Sequence, residues 1–134
     1  MKQIADGLWQ AGTRLGGALP PETKAIFWMI DESPPETQGI ILIHYPIPDN
    51  DQGLDETVFL RLYHLVDALS DLPIMAVCQA GENRSGLVAV MVLIARGATV
   101  EDAIATVQRE GNARTHAHSF WNPGFVAQVK RLLS

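Results

Sequence analysis

One cysteine and one arginine, separated by five residues, form the pattern with the most evident chemistry in this sequence. Cys78 begins a polar loop that contains Gly81, and Arg84 stands near the loop's end. The backbone N–H groups of residues 79 to 84 can curve into a concave nest that binds phosphate without any side chain. Arg84 would close this nest, because its planar guanidinium donates to two phosphate oxygens at once. The residues expected to bind phosphate are Gln79, Ala80, Gly81, Glu82, Asn83 and Arg84.

The same loop would turn Cys78 into a nucleophile. The positive field of the nest and of Arg84 favours the thiolate form of the side chain. A thiolate beneath a bound phosphate can attack phosphorus in line and form a phosphocysteine, which divides one slow hydrolysis into two easier steps. Ser85 would donate a hydrogen bond that stabilises the thiolate as it leaves. This chemistry requires no metal and no other cofactor.

The leaving oxygen in such a reaction needs a proton. Asp51, in the polar turn at residues 48–53, is the candidate general acid. In the second step the same carboxylate would deprotonate the attacking water. Asp49 lies in the same turn, and chain geometry alone leaves the choice between the two aspartates open. The catalytic set expected from the residues is therefore Cys78, Arg84, Ser85 and Asp51.

Other interpretations of these residues are simpler. A free cysteine after an apolar run is by default a small core side chain, but the complete loop pattern favours catalysis at Cys78. Asp49 and Asp51 taken alone are ordinary turn residues. His116 and His118 are spaced by two residues, but no third ligand candidate stands near them, so loop histidines are favoured over a metal site.

The elements that must position the loop follow from turn signals and hydrophobic periodicity. Strands are predicted over residues 3–10, 25–30, 40–43 and 74–77. Helices are predicted over residues 55–69 and 87–95. A third helix is predicted to begin at residue 99 or 101 and to end at 107, and a fourth to run from residue 123 to about 133. This order predicts an α/β fold with a central, mostly parallel sheet flanked by helices. The loop after Cys78 would lie at the carboxyl ends of the strands, where open α/β sheets bind ligands.

Composition limits the function classes. The chain has 134 residues, 47% hydrophobic and 19% charged, which suits a single domain over residues 1–134. A net charge of −5 opposes nucleic-acid and membrane partners, so a phosphate must be bound locally. One cysteine indicates a reducing compartment, and residues 1–7 do not resemble an export signal, so a cytoplasmic location is expected. The longest apolar run, residues 87–95, is too short to span a membrane as a helix.

The sequence resembles the cysteine-based protein tyrosine phosphatases, and within them the small dual-specificity type. Residues 78–86, Cys-Gln-Ala-Gly-Glu-Asn-Arg-Ser-Gly, match the family signature of cysteine, five residues, arginine and then serine or threonine. Residues 4–9 are similar to the family's first strand, residues 45–51 to its general-acid loop and residues 122–129 to its last helix. The acid precedes the cysteine here, unlike the order in low-molecular-weight tyrosine phosphatases. Val77 stands where the family usually has histidine.

The resemblance implies the phosphatase fold and hydrolysis of phosphotyrosine, with phosphoserine and phosphothreonine as further substrates of a shallow pocket. The partner would be a phosphorylated protein or peptide, and we expect a monomer. The family's Ile-Pro-x-x-Asp pattern, matched at residues 47–51, favours Asp51 over Asp49 as the acid. Glu82 is expected to be a solvated loop side chain. A carboxylate at this position would also disfavour polyanionic substrates such as phosphoinositides. One alternative is a non-catalytic phosphate-binding pseudophosphatase, which the intact set of Cys78, Arg84 and Asp51 disfavours. Another is an RNA 5′-triphosphatase or a lipid phosphatase, and the acidic chain disfavours both of these enzymes.

Overall fold

The computed structural model describes residues 1–14, 18–114 and 116–134. Within these ranges the strands are β1 (Lys2–Ala5), β2 (Leu8–Ala11), β3 (Ala25–Trp28), β4 (Ile41–His44) and β5 (Ile74–Val77). The helices are α1 (Glu56–Leu69), α2 (Arg84–Ala95), α3 (Val100–Glu110) and α4 (Pro123–Leu132).

The strands form one sheet in the order β1-β2-β5-β3-β4. Only the pairing of β1 with β2 is antiparallel, and the other three pairings are parallel. The predicted α/β class with a mostly parallel central sheet is therefore confirmed. The central strand β5 has all four residues buried, as its continuous apolar run predicts.

Two of the incorrectly predicted boundaries lie close to the loop or to its supporting strand. Residues 3–10 form two strands of a hairpin instead of one, because Gly7 takes a positive φ of 65° at the turn. Helix α2 begins at Arg84, three residues before the apolar run that defined it in the sequence. Arg84 therefore belongs to the first turn of the helix and is not part of the loop.

Helix α2 is the centre of the fold. Its residues from Ser85 to Val92 are all buried, and it packs against β2, β5, α1 and α3. This is the position that a helix apolar on every side requires. The predicted stop at Gly97 is also present, with a φ of 105° directly after the C-cap residue Arg96.

Side-chain caps fix the starts of the other helices. Asp55, Thr99 and Asn122 each accept hydrogen bonds from backbone N–H groups in the first turn of α1, α3 and α4. Pro123 occupies the first helical position of α4, as predicted. Helix α3 continues to Glu110, beyond the predicted end at Val107. Among the helices of the described ranges, none has the length and apolar character needed to cross a membrane.

Candidate active site

Cys78 lies at the carboxyl end of the central strand. Its backbone N–H donates to the carbonyl oxygen of Ala11 at 3.2 Å, which extends the sheet pairing by one residue beyond β5. The side chain is 2% exposed. The chain then runs through residues 79–83 and enters α2 at Arg84. The cysteine and the helix N-terminus are thus brought together at the ligand-binding end of the sheet.

The loop depends on Gly81 for its shape. Gly81 has a φ of 75°, and a Cβ there would lie 2.6 Å from the backbone nitrogen of Gly12. The backbone N–H of Thr13 donates to the carbonyl oxygen of Gln79 at 3.3 Å. The loop is therefore packed directly against the segment that follows β2, and only glycine fits at position 81.

A buried polar network supports the loop from below. The fully buried Gln10 donates from Nε2 to the carbonyl oxygen of Glu82 at 3.0 Å and accepts from the backbone N–H of Asn112 at 2.9 Å. Asn112 in turn donates from Nδ2 to the carbonyl oxygen of Gly81 at 3.2 Å. Gln10 and Asn112 were absent from the predicted site. A glutamine inside a strand that is otherwise apolar was the available signal for the first of them.

Ser85 is in hydrogen-bond contact with the cysteine. The Sγ of Cys78 and the Oγ of Ser85 are 3.2 Å apart, and both side chains are buried. A thiol donates this hydrogen bond, whereas a thiolate receives it from the serine hydroxyl. The structure thus places the predicted cysteine and serine together. Val77, directly before the cysteine, is apolar and 1% exposed, so its side chain adds no polar contact.

Arg84 presents an unpaired donor. Its Nε is buried and makes no hydrogen bond with any residue that the structure describes. The side chain lines a cavity of about 290 Å³ together with Gln79 of the loop. It also lines a cavity of about 360 Å³ with Pro46, Ile47 and Pro48, which precede the candidate acids. A buried guanidinium N–H without a partner is costly, so this geometry suits a donor that is completed by an anionic ligand.

The two candidate acids occupy different surroundings. Asp49 accepts hydrogen bonds from the Nδ2 of Asn122 at 2.7 Å and from the Nδ2 of Asn83 in the loop at 3.4 Å. Asn122 also donates its backbone N–H to the Oδ1 of Asn83 at 2.9 Å. The carboxylate of Asp51 is exposed and, across residues 1–14, 18–114 and 116–134, accepts no hydrogen bond. The structure therefore brings Asp49, rather than Asp51, into contact with the loop.

Glu82 differs from its expected solvated state. The side chain is 3% exposed, and its Oε1 accepts a hydrogen bond from the backbone N–H of Arg114. The expectation of a solvated loop residue was wrong, because the carboxylate turns inward and ties the loop to the segment after α3. The Glu82 carboxylate therefore binds a backbone N–H group of the protein.

The predicted loop histidines have local partners. His116 stacks on Trp121 with 3.7 Å between ring centroids, and the Nδ1 of His118 lies 2.8 Å from the carbonyl oxygen of Ser119. Among the residues with described positions, no group of three histidine, cysteine, aspartate or glutamate side chains could hold a metal ion.

The likeness of this chain to known proteins comes from solved structures. No protein-family model matches the chain, and no curated protein matches it. Among solved structures, human DUSP28 superposes with a TM-score of 0.76 and 20% identity, over 98% of this chain and 94% of that one. A mouse putative dual specificity phosphatase complexed with zinc tungstate superposes with a TM-score of 0.77 and 21% identity, over 97% of this chain and 84% of that one. OH1, a tyrosine phosphatase from the Orf virus, superposes with a TM-score of 0.71 and 20% identity, over 98% of this chain and 85% of that one.

Proposed function

We propose that this chain, which has the fold of the small dual-specificity phosphatases, hydrolyses phosphate monoesters of tyrosine in proteins, and of serine and threonine as well, through a phosphocysteine at Cys78. One observation carries the proposal: the buried Nε of Arg84 is unpaired among the described residues, at the N-terminus of the helix that follows the cysteine. The loop amides, this guanidinium and the positive end of α2 together suit a phosphate dianion.

In the first step the thiolate of Cys78 attacks phosphorus, so that an S–P bond forms while the bond from phosphorus to the tyrosine oxygen breaks. The charge on the three equatorial oxygens would be stabilised by the loop N–H groups and by Arg84. The leaving phenolate takes a proton from a carboxylic acid.

We assign this acid to Asp49 in place of Asp51. Both aspartates are exposed, but Asp49 is held by Asn83 of the loop and by Asn122 at the start of α4, whereas the carboxylate of Asp51 accepts no hydrogen bond from the described residues. In the second step the resulting carboxylate takes a proton from water, and the water oxygen attacks phosphorus. The S–P bond then breaks and inorganic phosphate is released. The hydroxyl of Ser85, 3.2 Å from the sulfur, donates to the departing thiolate.

Replacement of the nucleophile tests the mechanism. Cys78→Ser is expected to lower p-nitrophenyl phosphate turnover by about 10⁴-fold or more, while binding of inorganic phosphate, measured by calorimetry, persists. In the wild-type protein, mass spectrometry after an alkaline denaturing quench should detect one phosphoryl group on Cys78. Turnover by Cys78→Ser at the wild-type rate would exclude this mechanism. If the wild-type protein binds phosphate but shows no turnover, the chain is a pseudophosphatase.

Ser85 provides an independent test of the second step. Ser85→Ala should slow hydrolysis of the phosphocysteine more than its formation, so a burst of p-nitrophenol should precede a slow steady state. Ser70→Ala is the matched control, because Ser70 is a partly exposed serine whose hydroxyl donates only to the carbonyl oxygen of Asp67. Equal slowing of phosphocysteine formation and hydrolysis in Ser85→Ala, or a burst in Ser70→Ala, would contradict the role of Ser85 in the second step.

A further inference from the structure

A cavity of about 540 Å³ adjoins the phosphate loop on the side of β2. Gln79 and Ala80 of the loop form one part of its wall, and Arg14 and Arg114 form another. The two arginines come from distant parts of the chain, one after β2 and one after α3. Two arginines thus line the same space next to the loop.

Both arginine-bearing segments are fastened to the loop itself. Next to Arg14, the backbone N–H of Thr13 donates to the carbonyl oxygen of Gln79 at 3.3 Å. The backbone N–H of Arg114 donates to the carboxylate of Glu82, a loop side chain that is 3% exposed. A buried carboxylate that fixes the backbone of Arg114 is a costly arrangement, so the position of this arginine relative to the loop is set by the fold.

The side chains of these arginines have no ion-pair partner among the described residues. Neither guanidinium of Arg14 or Arg114 forms an ion pair or hydrogen bond within the part of the chain that the structure describes. Two other exposed arginines, Arg109 and Arg131, pair with surface glutamates. In a chain with a net charge of −5, two free cations at one cavity are a local exception.

The opposite side of the loop has the opposite charge. The cavity of about 290 Å³ that contains Arg84 is also lined by Asp31 and Glu32, and it shares Thr13 and Gln79 with the basic cavity. The two cavities beside the loop therefore differ in charge: Arg14 and Arg114 line one, and Asp31 and Glu32 line the other together with Arg84.

We infer that Arg14 and Arg114 form a second anion subsite, which selects phosphopeptides that carry an acidic group on one side of the phosphorylated residue. The inference rests on the proposed function, because the scissile phosphate must occupy the loop while the acidic group occupies the basic cavity. A carboxylate and a second phosphate share the required chemistry. A peptide is favoured over RNA because Asp31 and Glu32 would repel a ligand that carries phosphates on both sides.

Binding to the Cys78→Ser protein tests the subsite without turnover. The probes are phosphotyrosine peptides with one glutamate before or after the phosphotyrosine, a glutamine-substituted peptide of equal length, and a peptide with a second phosphorylated residue. Glutamate on one side only should tighten binding by about five- to tenfold over glutamine, as two partly exposed ion pairs allow. The second phosphate should act on the same side, and the preference should shrink as salt increases.

Substitution of the arginines then assigns the effect. Added to Cys78→Ser, the pair Arg14→Gln and Arg114→Gln should reduce the preference to less than about twofold, whereas Arg109→Gln should leave it intact. Equal binding of all peptides, a preference that survives the double substitution, or absence of phosphopeptide binding would overturn the subsite. Tighter binding of 5′-triphosphorylated RNA than of every peptide would overturn the peptide assignment.

The two proposals fail separately. If the wild-type protein hydrolyses neither p-nitrophenyl phosphate nor any phosphopeptide while the one-sided preference is present, the enzymatic function is excluded and the subsite stands. If the wild-type protein hydrolyses all the peptides with equal kcat/KM and binds them equally, the phosphatase stands and the subsite is excluded.

Discussion

The two ends of helix α2 carry the same type of side chain in opposite states. Arg84, the first helical residue, has a buried Nε without a hydrogen-bond partner in the described ranges. Arg96, the C-cap residue, donates four hydrogen bonds of 2.7 to 3.1 Å. Their acceptors are the carbonyl oxygens of Asp6, Gly7, Ser70 and Leu72.

This difference separates a structural arginine from one that is available to a ligand. Arg96 joins the hairpin turn between β1 and β2 to the end of α1, and its donors are used by the protein's own backbone. Arg84 stands in the first turn of α2, at the positive end of the helix dipole. The guanidinium at this end of the helix is available for an anion.

The largest expected effect comes from exchanging these two arginines for lysine. Arg84→Lys keeps the charge but loses the planar fork, so kcat/KM for p-nitrophenyl phosphate should fall by about 10³-fold, with little change in the free energy of unfolding. Arg96→Lys should lower the free energy of unfolding by roughly 1 to 2 kcal/mol and leave kcat/KM within about twofold. Steady-state kinetics and urea unfolding measure both quantities, and equal kinetic losses in the two variants would remove the distinction.

The next effect concerns the acid at the ligand-binding end. Asp49→Asn should lower kcat by about 10²-fold for a phosphotyrosine peptide. The loss should be smaller for p-nitrophenyl phosphate, because its better leaving group depends less on protonation. Asp51→Asn is the matched control. A loss confined to Asp51→Asn would return the acid to the residue that the sequence favoured.

Two glycines extend the comparison to the backbone. Gly81 and Gly97 both have positive φ, but a Cβ at Gly81 would meet backbone atoms of Gly12 and Ala11, whereas a Cβ at Gly97 has no neighbour within 4 Å. Gly97→Ala should therefore cost only the conformational strain, about 1 kcal/mol of unfolding free energy, with normal kinetics. Gly81→Ala should cost about 2 kcal/mol or more and also lower kcat/KM. Equal destabilisation would show that the close packing of the loop is unimportant.

The smallest effect is expected on α1, away from both ends of α2. Burial, and secondarily the charge of Asp67, raise the pKa of Tyr63 above its ordinary value. The folded state therefore retains the phenolic proton more strongly than the unfolded chain does. The resulting stability is present below about pH 10 and is lost as pH rises through the raised pKa. Unfolding measured from pH 9 to 11 should show this decline relative to Tyr63→Phe, and parallel curves would contradict it.

Short-range signals predicted much of the fold. The loop glycine, the stop at Gly97 and the cap at Asn122 each depend on neighbours within a few residues, which the sequence displays directly. The hairpin turn at Gly7 escaped detection because the apolar pattern continues through it.

Contacts between distant residues escaped prediction. Gln10 and Asn112 support the loop although about a hundred residues separate them in the chain. The proposed choice of Asp49 over Asp51 rests on contacts with Asn83 and Asn122, which come later in the sequence. Periodicity and turn chemistry carry no information on such pairings.

The network that supports the loop also sets an order of events during synthesis. Cys78 leaves the ribosome before Asn112, which holds Gly81, and before Asn122, which holds Asp49. Cys78 is therefore part of a nascent chain whose loop is not yet held by these later residues. The loop after Cys78 therefore takes its folded shape only when Asn112 and Asn122 have joined the fold, and the proposed phosphatase activity would be delayed until that stage of translation.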